Sequence, residues 1–316
     1  MSPISEKSSR PAYDPRRIRR IFDRRAATFP QAAFLPREVA RRMCERLDYI
    51  KLDPAKILDA GCGLGDDLRV LRARFPNIPV FGADLSGAML ARAATGLGWR
   101  RFLPGRGPRV AQADFGALPF ASGAFDFLWS NMALHWHARP DLVFPEWRRV
   151  LKTGGLLMFS ALGPDTLREL RDAYAQAEAT CGMAARAHVI DFVDMHDLGD
   201  MLVENGFETP VMDQETITVT YASPASLLTD VRRWGAYPFA RDNSSGNDMN
   251  MPPLSMSGRR LRDALCAALE ARRRVDGMIA LTFEVVYGHA WKAALSMTAE
   301  GHHIVRLEDI TRPKYK

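Results

Sequence analysis

Ile57-Leu58-Asp59-Ala60-Gly61-Cys62-Gly63-Leu64-Gly65 is a short apolar run that ends in an acid and then breaks into three alternating glycines. The run reads as a buried parallel strand and the glycines as a tight loop, because a residue without a Cβ lets a ligand approach the backbone. From Asp66 to Phe75, Leu68, Val70, Leu71 and Phe75 recur at broadly helical spacing. The loop is therefore expected to open a helix whose N-terminus favours an anionic ligand group. This is the layout of a nucleotide-type site.

Glycine triplets also occur in plain turns, so the next strand is the test. Val80-Phe81-Gly82-Ala83-Asp84 ends in a carboxylate nineteen residues beyond Gly65. That is close to the spacing at which an acid meets ribose hydroxyls in doubly wound folds. A third strand, Val110 to Phe115, ends in Asp114 followed by Phe115, an acid able to accept from an exocyclic amine beside an aromatic able to stack on a base. Asp59, Asp84 and Asp114 would also serve as helix caps at strand-to-helix turns. Three such acids in order favour the ligand site.

The segments D-A-G-C-G-L-G at 59–65, A-D-L-S at 83–86 and A-D-F at 113–115 resemble those of class I S-adenosylmethionine-dependent methyltransferases. The resemblance implies an α/β fold with a doubly wound, mostly parallel seven-stranded sheet, and S-adenosylmethionine as cofactor. It further implies that Gly61 and Gly63 approach the methionine moiety, that Asp84 holds the ribose, and that Asp114 and Phe115 frame the adenine. Asp59 sits under the loop, and Leu85 and Asn131 join the cofactor-binding set.

At 316 residues and 47% hydrophobic composition the chain has enough apolar material for one large core and a smaller appended unit. Nothing approaches the apolar length of a membrane span, and the first thirty residues hold no uninterrupted apolar segment of signal-peptide type. Cys44, Cys62, Cys181 and Cys266 are widely separated and lack CxxC spacing, which argues against a disulfide framework or a zinc site. A reducing, cytoplasmic location is the expectation. The net charge of +6 includes a cluster at Arg16, Arg17, Arg19, Arg20, Arg24 and Arg25. An Arg-rich start also occurs in mitochondrial transit peptides, but Glu6, Asp14 and Asp23 interrupt this one. Basic surface of this kind suits nucleic acid or an acidic protein partner.

Four segments are expected along the chain. Residues 1–50 form a tail and N-terminal helices, with apolar strips at Ile18, Ile21 and Phe22 and at Val39, Met43 and Leu47. Residues 51–222 form the cofactor-binding core, 223–280 an inserted helical lid, and 281–316 the last core strand and a tail. The fourth strand leaves at Asn131-Met132-Ala133-Leu134-His135-Trp136, and strand exits of this kind line the ligand cleft of open parallel sheets. This exit is not the Asn/Asp-Pro-Pro-Tyr of amino-group methyltransferases. His135 and His137 lack a third partner for a metal. A helix from about Asp141 to Leu151 is expected to stop at Lys152-Thr153-Gly154-Gly155 ahead of a fifth strand from Gly155 to Leu162. Gly163-Pro164-Asp165-Thr166 then opens another helix. A sixth strand covers Thr216 to Tyr221, and the polar stretch Asp242 to Asp248 joins the two lid helices. The last strand, Leu281 to Trp291, pairs antiparallel beside the sixth.

F-D-R-R-A-A-T-F at 22–29, S-N-M-A-L-H-W at 130–136, G-P-D-T-L-R-E-L-R at 163–171 and L-T-F-E-V-V-Y-G-H-A at 281–290 together resemble the malonyl-acyl-carrier-protein O-methyltransferase family of biotin synthesis. Phe29 stands where a tyrosine is usual, so that position offers no hydroxyl. Phe22 and Phe29 otherwise read as core aromatics. The resemblance implies methyl esterification of a malonyl carboxylate on an acidic carrier protein. No membrane partner is expected, and the lack of stacking aromatics among the arginines disfavours nucleic acid, although another small-molecule or RNA methyltransferase stays open. A related family of respiratory-complex assembly factors, one of which is linked to arginine hydroxylation, shares much of the pattern and stays open, as does a coenzyme A thioester as substrate. No general base is expected, since the malonyl carboxyl has a pKa of about 4 and is already ionised. Trp136 and Phe29 are expected to position the substrate, with Arg168 or Arg171 holding its carboxylate. For Arg168 the alternative is a surface ion pair with Asp172.

Overall fold

In the computed structural model, which describes residues 14–95, 109–137, 139–234 and 256–293, the opening run becomes a central strand, β1 (Ile57–Ala60), with all four residues buried. It pairs in parallel with β2 (Val80–Asp84) on one side and β4 (Phe125–Ser130) on the other. β3 (Val110–Gln112) extends the sheet beyond β2, and β5 (Leu151–Leu162) extends it beyond β4. β7 (Ile279–Lys292) runs antiparallel between β5 and β6 (Phe207–Tyr221), giving the order β3-β2-β1-β4-β5-β7-β6. The chain thus winds outward from β1 to β3 and returns to the other side at β4. A crevice opens at such a switch point, beyond the carboxyl ends of the strands.

Strand periodicity divides the core into two layers. Ile57, Phe127, Trp129, Leu156 and Met158 belong to one apolar cluster, and Leu58, Ala60, Leu128, Leu157 and Phe159 to the other. The first layer is closed by α2 (Phe34–Leu47), α3 (Asp66–Arg74), α6 (Arg168–Cys181), α8 (Pro224–Arg233) and α9 (Met256–Glu270). The second is closed chiefly by α5 (Pro140–Val150) and α7 (Met195–Glu204). The remaining helices, α1 (Pro15–Arg25) and α4 (Gly87–Thr95), meet each other at the crevice end of β2. With helices on both faces, the parallel strands read as continuous apolar runs. The fold is the expected doubly wound one.

Several boundaries differ from the sequence expectation. Val70 of α3 is 39% exposed rather than packed. The fifth helix ends at Val150, and Leu151 is already extended and pairs with Phe125. Lys152 to Gly154 therefore form an irregularity inside β5, and Gly155 allows it, since a Cβ there would lie 2.8 Å from the Lys152 carbonyl oxygen. Residues 163–166 make a turn, and α6 begins only at Arg168. The last strand captures that turn: Leu167, at φ 59°, donates to Thr282 O at 2.7 Å, and Asp165 N donates to Glu284 Oε2 at 2.7 Å. The third strand stops at Gln112, and Asp114 forms an isolated bridge with Ala117. The sixth strand starts at Phe207, well before Thr216, with a register shift between Glu208 and Val211. Its alternating exposure at the sheet edge hid its first half from an apolar-run search. The 242–248 joint lies outside the described residues, as do residues 1–13 of the expected tail. Leu227, Val231, Leu261 and Leu265 of α8 and α9 share a cluster with Ile279 and Phe283 of β7.

Candidate active site

The glycine loop is fastened to β2 before it reaches the crevice. Gly61 N and Cys62 N both donate to Ala83 O, at 2.8 and 3.0 Å. Gly63 follows at φ 48°, and a Cβ placed on it would meet nothing within 4 Å. The loop's backbone is therefore bare on the side facing the cavity. Gly63 N donates to Asp84 Oδ2 and Ser86 N to Asp84 Oδ1, each at 2.8 Å. These two bonds fix the Asp84 carboxylate and still leave each oxygen a lone pair for a ligand.

Three acids collect under this loop. Burial drives the Asp84 carboxyl up to about 6, although the amides of Ser86 and Gly63 pull the other way. Asp59 is 1% exposed and its Oδ2 has no partner. Burial, reinforced by the charges of Asp67 and Asp84, holds its carboxyl well above the usual range. Asp67 is also raised by burial, and is opposed by hydrogen bonds from Trp129 Nε1, at 2.9 Å, and from Asn131. An orphaned oxygen on buried Asp59 and two half-buried acids lining the cavity make a floor that a cationic ligand would relieve. Ribose hydroxyls would in turn find acceptors at Asp84.

The roof is apolar and comes from distant segments. Phe22 packs edge-on against Trp136 at 4.8 Å and against Phe29 at 6.2 Å. With Ile18, Leu85, Phe115 and Trp234 these rings line the cavity. α1 is held there by Asp23, whose Oδ1 accepts from Ser86 Oγ at 2.6 Å and from Ala88 N at 3.2 Å. Asn131 bridges two layers, donating to Pro36 O at 2.9 Å and accepting from Ser160 Oγ at 2.8 Å. His135 also lines the cavity; its Nδ1 is shielded without a partner, and burial lowers its pKa to about 3. Such an imidazole is neutral throughout the physiological range.

Of the residues singled out in the sequence, Gly61, Gly63, Asp84, Leu85, Phe115, Asn131, Trp136 and Phe29 meet at this cavity, and Asp59 lies beneath it. Asp114 does not line the cavity; its Oδ1 accepts from Gly116 N at 2.9 Å. Arg168 and Arg171 do not line it either. Arg168 is exposed and pairs with Asp165 at 3.3 Å and Glu169 at 3.4 Å rather than with Asp172. Arg171 turns back onto the carbonyls of Pro164 and Thr166, which the 163–167 turn leaves open. The cationic side chain that does line the cavity is Arg37, at the start of α2. Its Nε donates to Asp66 at 2.9 Å and its Nη1 to Pro30 O at 3.3 Å, which leaves Nη2 outside both contacts. Sequence reading passed over Arg37 and Trp234, because only helix packing brings them to the crevice. It passed over Asp67 as well, which its place as the second acid after the glycine loop would have marked.

A family model described as a methyltransferase domain matches residues 58–159. A malonyl-[acyl-carrier protein] O-methyltransferase of Laribacter hongkongensis is 44% identical over 284 residues, 89% of this chain and 90% of that protein. One from Gallionella capsiferriformans is 40% identical over 294 residues, 93% of this chain and 96% of the relative. This chain belongs to the malonyl-[acyl-carrier protein] O-methyltransferase family. As a member of it the protein is an S-adenosylmethionine-dependent methyltransferase, and the acid-floored cavity with its open glycine loop fits that cofactor. The fold is shared more widely. The YcgJ protein of Bacillus subtilis superposes with a TM-score of 0.54 at 14% identity, covering 82% of this chain and 99% of that one. Phosphoethanolamine N-methyltransferase 2 of Haemonchus contortus, solved with S-adenosylhomocysteine, superposes at 0.53 and 17% identity over 87% of this methyltransferase and 60% of its own chain. No helix among the described residues is long and apolar enough to cross a membrane.

Proposed function

We propose that this methyltransferase esterifies the free carboxylate of a malonyl thioester carried on an acyl-carrier protein, an early step of biotin synthesis. The observation that carries this reading is His135. It is the histidine of the cavity wall, and burial holds it neutral down to about pH 3, so it is a poor proton acceptor. A carboxylate substrate needs no such acceptor, being ionised at neutral pH with a pKa of about 4. When bound, S-adenosylmethionine would supply an electrophilic methyl group to a carboxylate oxygen, with its sulfur as the leaving atom, a transfer that needs no proton to move.

The chain's residues then hold and shield. Gly61 and Gly63 let the methionine portion lie against backbone, Asp84 accepts from the ribose hydroxyls, and Asp59 and Asp67 offset positive charge from below. Phe115 stacks on the adenine, while Asp114, outside the cavity lining, braces the following turn through Gly116 N. Phe22, Phe29, Trp136 and Trp234 exclude water from the reacting groups, and α8 and α9 act as the cover that brings Trp234 in. Arg37, with Nη2 outside its local bonds, is the cation suited to a one-sided grip on a carboxylate, in place of Arg168 or Arg171. Incubation with malonyl-carrier protein and methyl-labelled cofactor should give a base-labile methyl ester. Label transferred to RNA or to an arginine side chain, with none on the malonyl carrier, would overturn the reading.

A further inference from the structure

α1 has the sequence PRRIRRIFDRR, with six arginines and one acid. Its inner face is occupied: Ile18 and Phe22 line the cavity, and Asp23 caps the first turn of α4. Its acids are occupied too. Asp14 accepts from Arg16 N and Arg17 N at the N-cap, and Asp23 pairs with Arg19 at 3.5 Å while bonding Ser86. Arg16, Arg20 and Arg24 recur at intervals of four, so they form one row along the helix, and all three are exposed. That row lies on the outer side of the helix whose inner side roofs the active site. At the inner edge, Arg25 keeps Nη1 shielded without a partner, and burial lowers its pKa to about 10. Positive charge therefore dominates the outer side of the helix, whose sequence holds six arginines against one acid.

We propose that the row Arg16, Arg20 and Arg24 on α1 is the docking surface for an acidic protein that delivers the acyl thioester into the cavity beneath. The proposal rests on the substrate reading above and adds to it the place where the carrier sits. A protein bound on the outside of the roof helix lies one helix diameter, about 10 Å, from the cavity wall that Ile18 and Phe22 form, within reach of a thioester on a flexible arm. Charge complementarity selects the partner, since a row of guanidinium forks matches carboxylates on a facing helix and speeds encounter at low salt. RNA is the weaker match, because Arg16, Arg20 and Arg24 carry no aromatic side chain between them on the exposed row for bases to stack on.

The test is steady-state methylation of two substrates, malonyl-carrier protein and malonyl-pantetheine, which has the same thioester and no protein. In the combined Arg16→Glu, Arg20→Glu, Arg24→Glu variant the half-saturating concentration of the carrier substrate should rise at least about tenfold, equivalent to one factor of ten in affinity. Turnover of malonyl-pantetheine should be unchanged, which also shows that the variant is folded. The matching Arg→Lys variant should recover most of the carrier affinity, and added salt should weaken the wild type toward the Glu variant. Unchanged carrier kinetics, or equal loss on both substrates, would overturn the docking surface while leaving the substrate reading intact. A wild-type enzyme that methylates neither thioester would overturn that reading and the docking with it. Loss of RNA retention with carrier kinetics unchanged would reassign the row to nucleic acid.

Discussion

A Cβ at position 61 would lie 2.4 Å from the Cβ of Ala133, so the glycine loop after β1 and the exit of β4 close on each other with no room for a side chain. Gly61 also sits at φ 90°, where other residues are strained. Gly61→Ala should therefore lower stability by roughly 2–4 kcal/mol, from overpacking plus backbone strain, as read from denaturant unfolding. Adding Ala133→Gly should return only the steric part.

Asp84→Ala should leave the fold in place and weaken S-adenosylmethionine binding at least about tenfold, the equivalent of one charged hydrogen bond of about 1.5 to 3 kcal/mol. Calorimetric titration measures it. Unchanged affinity would remove Asp84 from the ribose site.

Cofactor affinity should rise with pH between 5 and 7. Because burial raises Asp84 to about 6 from an ordinary value of 3.8, its contribution to the ligand-free fold is fully present below the lower value and is lost as pH rises through the upper one. A cationic cofactor prefers the ionised carboxylate, so binding below the upper value must release a proton. An increase of up to about tenfold across this range is expected. Titrations in buffers of different ionisation heat would count the protons; none released at pH 5.5 would contradict the account.

His135→Gln should give a slower but working enzyme. With its pKa lowered to about 3, the imidazole has no protonation change to contribute near neutrality, and the pH–rate profile of the wild type should show no limb near 6.5. A loss of several orders of magnitude in the variant, with binding and folding intact, would restore a catalytic base.

Arg168→Lys should leave turnover and half-saturation unchanged, since exposed pairs such as those with Asp165 and Glu169 contribute at most about 1 kcal/mol to stability. Arg37→Lys should raise a half-saturating concentration several-fold. Whether the change appears for the malonyl substrate or for the cofactor tells which carboxylate the guanidinium meets.

The strand-edge wall of the cavity was legible because its residues follow one another along two strand-loop-helix units. Asp59, Gly61 and Gly63 lie within five residues, and Asp84 ends the neighbouring strand, so local spacing alone carries them to one edge. The place of the expected substrate anchor was not. Arg168 and Arg171 looked inward on the assumption that a helix starts at Pro164, and the Leu167 backbone bond to Thr282 delays that start to Arg168. The partner that decides it lies more than a hundred residues further along the chain.

By itself the sequence determined the parallel core, the glycine loop and the acids that follow each strand, since these depend on strand periodicity and on short-range spacing. Tertiary structure alone decided that Asp59, Asp67 and Asp84 share one floor, where desolvation raises the pKa of each and the charges of Asp67 and Asp84 add to the rise at Asp59. It alone decided that Phe22, Trp136 and Trp234, from three separated segments, form one roof, and that Arg37 rather than Arg168 or Arg171 reaches the cavity. Burial and long-range contact depend on how helices pack across the sheet. No local pattern in the chain encodes that distance.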